Sequence, residues 1–116
     1  MDNPRSSDFS VKSGDTGKVF TATLRNRDGS VIDLTDAASA QLHVRPVAGG
    51  SLVVDEAMDF GTRVNGAVFF RDFTTTHLRV AGDYLYEIEV TWNDGDVTSF
   101  PDGELGFRFQ ITPDLG

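Results

Sequence analysis

Between Gly82 and Trp92 the chain reads Gly-Asp-Tyr-Leu-Tyr-Glu-Ile-Glu-Val-Thr-Trp, and its large apolar side chains fall on every second position. Tyr84, Tyr86, Ile88, Val90 and Trp92 form one series, while Leu85, Glu87, Glu89 and Thr91 fill the gaps. A period of two is that of a β-strand with one face buried and the other mostly wet. Wound as a helix, the same five side chains would scatter around its circumference. The stretch is therefore a strand, and its inner face is the heaviest apolar surface of the chain.

The rest of the sequence breaks into similar short pieces. Phe9 and Val11 alternate with Ser10 and Lys12, and Gly14-Asp15-Thr16-Gly17 follows as a turn. Lys18 to Arg25 reads as a strand with Phe20, Ala22 and Leu24 on one side; Asp28-Gly29 turns the chain, and Val31-Ile32 resumes briefly. Asp33 to Asp36 is a turn of short polar side chains. Ala38 to Arg45 is predicted as a strand with Ala38, Ala40, Leu42 and Val44 inward, closed by Pro46. Short strands are expected at Leu52 to Val54, Ala57 to Phe60 and, after an Asn65-Gly66 turn, Ala67 to Phe73. Thr74-Thr75-Thr76-His77-Leu78 can cap one helical turn as a crossover. After the central strand, Asn93 to Asp96 turns the chain into Val97 to Phe100, and Pro101-Asp102-Gly103 interrupts before Leu105, Phe107, Phe109 and Ile111 alternate again.

About seven short strands with turn signals every eight to twelve residues mark a sandwich of two antiparallel sheets. Gly82-Asp83-Tyr84-Leu85-Tyr86 looks like a tyrosine corner, with Tyr86 where an antibody domain has cysteine. The predicted fold is an all-β, immunoglobulin-like antiparallel β-sandwich without a disulfide, since the chain has no cysteine. Its 116 residues make one domain, with residues 1–7 expected as a flexible arm.

The formal net charge of −8 opposes binding to nucleic acid or to an anionic membrane, so neither is expected as a partner. No apolar run reaches the length of a spanning helix, and the polar N-terminus lacks the apolar middle of an export signal. The two histidines, His43 and His77, are spaced to no second histidine and are read as solvated surface residues. No Gly-x-Ser-x-Gly elbow occurs. Asp94, Asp96, Asp102 and Glu104 could converge on calcium, yet Asp-Gly-Asp is what a hairpin requires, and turn chemistry is the reading kept. Trp92 belongs by parity to the core or its rim, while Phe69 is out of phase with Val68 and Phe70 and reads as a contact residue. No catalytic, cofactor-binding or metal-ligating residue is assigned, and no enzymatic activity is expected.

One resemblance extends this reading. Phe-Ser-Val-Lys-Ser-Gly-Asp-Thr-Gly at 9–17, then Asp28-Gly29, Ile32-Asp33-Leu34-Thr35 and Leu42-His43-Val44-Arg45-Pro46, is similar to the immunoglobulin-like N-terminal domain of phage baseplate upper proteins and related small tail proteins. Gly82-Asp83-Tyr84, Trp92, Asp94-Gly95 and Phe100-Pro101 continue the likeness, which spans roughly residues 9–113. The resemblance implies a structural virion component, docking at the tail tip or baseplate as collar or adaptor for receptor-binding parts. Its implied partners are other virion proteins in a homo-oligomer or ring, and its implied location is the virion, assembled in the host cytoplasm. A capsid decoration protein and a carbohydrate- or receptor-binding module are the alternatives. That family offers no catalytic residues.

Overall fold

The structure is a computed structural model that describes residues 9–100 and 107–113. Among the described residues eight strands follow in order: β1 (Phe9–Lys12), β2 (Phe20–Thr23), β3 (Ala37–Pro46), β4 (Val54–Phe60), β5 (Ala67–Phe70), β6 (Gly82–Trp92), β7 (Val97–Phe100) and β8 (Phe107–Thr112). A short 3-10 turn at Arg63–Asn65 joins β4 to β5. The fold is all-β, a sandwich of immunoglobulin-like design, as the alternation predicts.

The strands lie in the order β1-β8-β6-β3-β4-β5-β2, with β7 paired to β6 beside β8. β4 is the corner. Its Val54–Met58 half pairs with β3, and its last residues, Asp59 and Phe60, pair with β5. One sheet therefore bends into the other and the sandwich is nearly a barrel. β4 corrects the expectation of two short strands at Leu52 to Val54 and Ala57 to Phe60: it is one strand that contains the second piece and takes only Val54 of the first. β7 and β8 share one edge of β6, facing Ile88–Thr91 and Gly82–Tyr86 respectively. One pairing departs from the antiparallel expectation: β1 runs parallel to β8. After β1 the chain crosses to the opposite sheet, where β2 pairs with β5.

Tyr84, Tyr86, Ile88 and Val90 are buried, and Trp92 packs partly exposed against the core, so the central strand faces as its period demands. Opposite them lie Phe20, Val68 and Phe70. The Phe20 ring sits 4.8 Å from both Tyr86 and Phe9, and Phe9 lies 5.0 Å from Phe109. Each well-oriented ring pair is worth about 0.5–1.5 kcal/mol beyond its buried area. This aromatic knot fastens the crossover from β1 to β2 and closes that side of the sandwich.

Three local details carry the fold's geometry. The Tyr84 hydroxyl donates to the Val80 carbonyl at 2.6 Å, which is the tyrosine corner. Residues 74–78 make one helical turn closed by the Leu78 N–H on the Thr74 carbonyl; Thr74 Oγ1 accepts from the His77 N–H at 3.2 Å. The third detail corrects an expectation. Ala37 is buried and Ala38 exposed, because the β3–β6 register shifts between Ala37 and Ser39. A bulge adds one residue and reverses the facing of everything before it.

Candidate functional site

Two strand edges leave a gap in the barrel. β2 pairs with β5 on one side, and no other strand pairs with it among the described residues. β7, on the other sheet, pairs among the described residues with β6 alone. Between them opens a cleft of about 840 Å³. Its floor comes from alternate residues, which form a single face: Tyr86, Ile88 and Trp92 of β6, Thr98 and Phe100 of β7, and Phe107 of β8. The Trp92 indole N–H donates to Thr98 Oγ1 at 3.0 Å, fixing the ring at the rim.

The opposite wall is built differently. It uses every residue from Thr21 to Arg27, so the cleft runs along the edge of β2 instead of over one face. Hydrogen bonding fixes what that edge presents. The Leu24 N–H donates to Gly66 O at 2.8 Å, and Leu24 stands opposite Gly66 in the continued β2–β5 register. In an antiparallel ladder, bonded and non-bonded pairs alternate. Phe20–Phe70 and Ala22–Val68 are then bonded pairs, and Thr21–Phe69 and Thr23–Ala67 are not. The N–H and C=O groups of Thr21 and Thr23 consequently point away from β5, into the cleft.

Charge at the mouth is positive. Arg25 and Arg27 are the charged residues of the lining among those described, in a chain with 18 acidic and 10 basic side chains. Arg25 Nη1 donates to the Gly29 carbonyl at 2.9 Å, bracing the turn that carries both. Asp28, at the tip, accepts from the Ser30 hydroxyl and N–H, which hold its carboxyl below the usual range.

The residues singled out from sequence take other places. His43 lies on the outer face of β3, half-buried, with Nε2 at 3.2 Å from Asp55 Oδ1 and Nδ1 at 3.7 Å from Glu87 Oε1. Both carboxylates are its cross-strand partners. His77 corrects the expectation of a solvated side chain: only 10% of it is exposed. Its ring packs 6.0 Å from Phe70 and 6.3 Å from Phe73. Nδ1 accepts from the Thr74 N–H at 3.0 Å, so Nε2 carries the proton and donates to Glu56 at 3.1 Å. No three His, Cys, Asp or Glu side chains converge to hold a metal among the described residues. Asp94 accepts from the Asp96 N–H at 2.9 Å, which is turn chemistry; Asp102 and Glu104 lie outside the described residues, as does the 1–7 arm. Phe69 is half-buried under the Arg71 guanidinium at 4.8 Å and borders the cleft.

Sequence reasoning placed Trp92 in the core or at its rim and missed the cleft around it. No motif signals such a gap, because it depends on which strands become edges.

No family model matches the chain, and no curated protein matches it in sequence. Among solved structures, the crystal structure of CopC from Methylosinus trichosporium OB3b is similar, with a TM-score of 0.54 and 13% identity over 96% of this chain and 89% of that one. At that identity the likeness is one of fold. It also overturns the functional expectation: the fold that matches is that of CopC, which points away from a phage structural component, and the collar, adaptor or decoration role is withdrawn.

Proposed function

We propose that this protein is a non-enzymatic binding module that takes its ligand in the cleft between β2 and the inner face of β6, β7 and β8. One observation carries the reading: a compact sandwich of this size leaves open a cleft of about 840 Å³, floored by Trp92, Phe100 and Phe107. Small-molecule and recognition sites run from about 300 to 1,000 Å³ and are mostly apolar with a few placed polar groups. The arginines at the mouth favour an anionic group on the ligand, beside an apolar body that covers the rings. No nucleophile with an adjacent base is found among the lining residues, which favours binding over turnover.

Trp92 is the single tryptophan, so its emission reports on the cleft without interference. Titration with 1-anilinonaphthalene-8-sulfonate, an aromatic anion, is expected to shift Trp92 emission saturably at one dye per chain. Phe107→Ser and Arg25→Glu should each weaken binding severalfold while the far-ultraviolet spectrum stays that of the parent. Unchanged Trp92 emission at high dye, or binding indifferent to both substitutions, would remove the cleft as the site.

A further inference from the structure

We infer that the cleft's occupant is an extended segment of another polypeptide, which adds as a strand to the free edge of β2 with its apolar side chains on the Trp92–Phe100–Phe107 floor and carboxylates toward Arg25 and Arg27. The inference rests on the reading of the cleft as a binding site and names what that site takes.

Three observations converge. First, the backbone groups of Thr21 and Thr23 that face the cleft recur every second residue along one edge, and that edge has no strand partner among the described residues. A row of this kind is matched by another backbone in extended conformation, the basis of recognition by strand addition. Beyond Thr23 the same parity continues. The Asn26 N–H bonds Ser30 and the Leu24 carbonyl accepts from Ile32, so Arg25 too faces the free edge.

Second, this edge, though short, lacks the chemical devices that keep edges from pairing. From Phe20 to Leu24 there is no proline or charged side chain, and the β2–β5 register runs without a shift. β1, the other terminal strand of the order, ends in Lys12. Thr21 and Thr23 are exposed and β-branched, residues suited to a paired strand.

Third, the wall opposite the edge is one face of a sheet, with apolar groups at alternate positions. A strand laid against β2 would turn every second side chain onto that face and the others to solvent. With Arg25 and Arg27 at the mouth of an otherwise acidic molecule, the complementary segment alternates apolar and acidic residues. A second copy of this chain is the poorer fit, since two bodies of net charge −8 would bring like charge together.

The test uses the whole protein and an eight-residue capped peptide alternating valine and glutamate. The expected result has three parts. Trp92 emission shifts on binding, and the Thr21 and Thr23 amides exchange with solvent at least tenfold more slowly in the complex. N-methylation of alternate peptide amides lowers affinity at least tenfold, a change that leaves this protein's own fold untouched. A shift of Trp92 without protection of the two threonine amides, or equal binding of the N-methylated peptide, would overturn strand addition and leave the cleft reading standing. The same follows if the peptide fails to bind while the naphthalene dye still shifts Trp92. If neither probe reaches Trp92, both readings fall. Protection that grows with protein concentration alone would identify the second copy as the occupant and overturn the inference.

Discussion

Gly66→Ala is expected to be among the most damaging single-methyl additions in the chain, and Gly95→Ala provides its control. Both glycines sit at positive φ, +70° and +93°, where an L side chain is strained by roughly 1–2 kcal/mol. Around Gly95 an added Cβ meets nothing within 4 Å, so strain is its whole cost. At Gly66 the same atom would lie 2.7 Å from the Leu24 carbonyl oxygen and 2.9 Å from that of Ile32. Neither oxygen is the end of a flexible side chain. The Leu24 carbonyl accepts from the Ile32 N–H at 2.9 Å, and the Leu24 N–H is bonded to Gly66 itself at 2.8 Å. Relief requires β2 to move off β5, and overpacking of this kind costs typically about 1–3 kcal/mol. Gly66→Ala should therefore destabilise by about 2–5 kcal/mol and Gly95→Ala by about 1–2 kcal/mol. Urea unfolding followed by Trp92 emission measures both, with the midpoint falling and the slope unchanged. Equal losses in the two variants would refute the steric argument and with it the close approach of the 63–66 turn to β2.

Other perturbations test separate joints. Tyr84→Phe keeps the buried ring and removes the 2.6 Å bond to Val80, so a loss of about 1 kcal/mol is expected in the same unfolding assay. Arg63→Met should cost about 2 kcal/mol, because Nη1 bonds both the Leu34 and Ala37 carbonyls and the guanidinium covers the Phe60 ring at 4.0 Å. Asp28 and Asp33 have carboxyls held below the ordinary value of 3.8, by Ser30 and Thr35 respectively. Depressed folded-state values mean these turns contribute stability above the unfolded value, and that contribution is lost as pH falls through the folded ones. The Ser30 and Thr35 amide resonances should accordingly move with midpoints below 3.8, and Asp28→Asn and Asp33→Asn should abolish the respective shifts.

Much of the fold was legible because it is written in local pattern. The period of two from Tyr84 to Trp92 sets the inner face of β6, and Gly82-Asp83-Tyr84 announces the corner whose hydroxyl reaches Val80. Threonines at 74–76 promise a capped turn, and one is there. The bulge before Ser39 was not legible, since alanines at 37, 38 and 40 fit either phase. His77 misled for a similar reason. A polar loop position does not say that the ring turns back onto Phe70 and Phe73, just upstream, or that Glu56 reaches it from β4. The cleft is further still from local pattern. It exists because the chain changes sheets between β1 and β2, leaving Thr21 and Thr23 at an edge, and because β7, among the described residues, pairs with β6 on one side only.

Amide hydrogen exchange across Thr21, Ala22, Thr23 and Leu24 in the free protein tests the open edge most directly. Alternation is the predicted result, with Ala22 and Leu24 slow behind their bonds to β5 and Thr21 and Thr23 fast on the cleft side. Four equally slow amides would mean that β2 already has a second partner and that the cleft is closed.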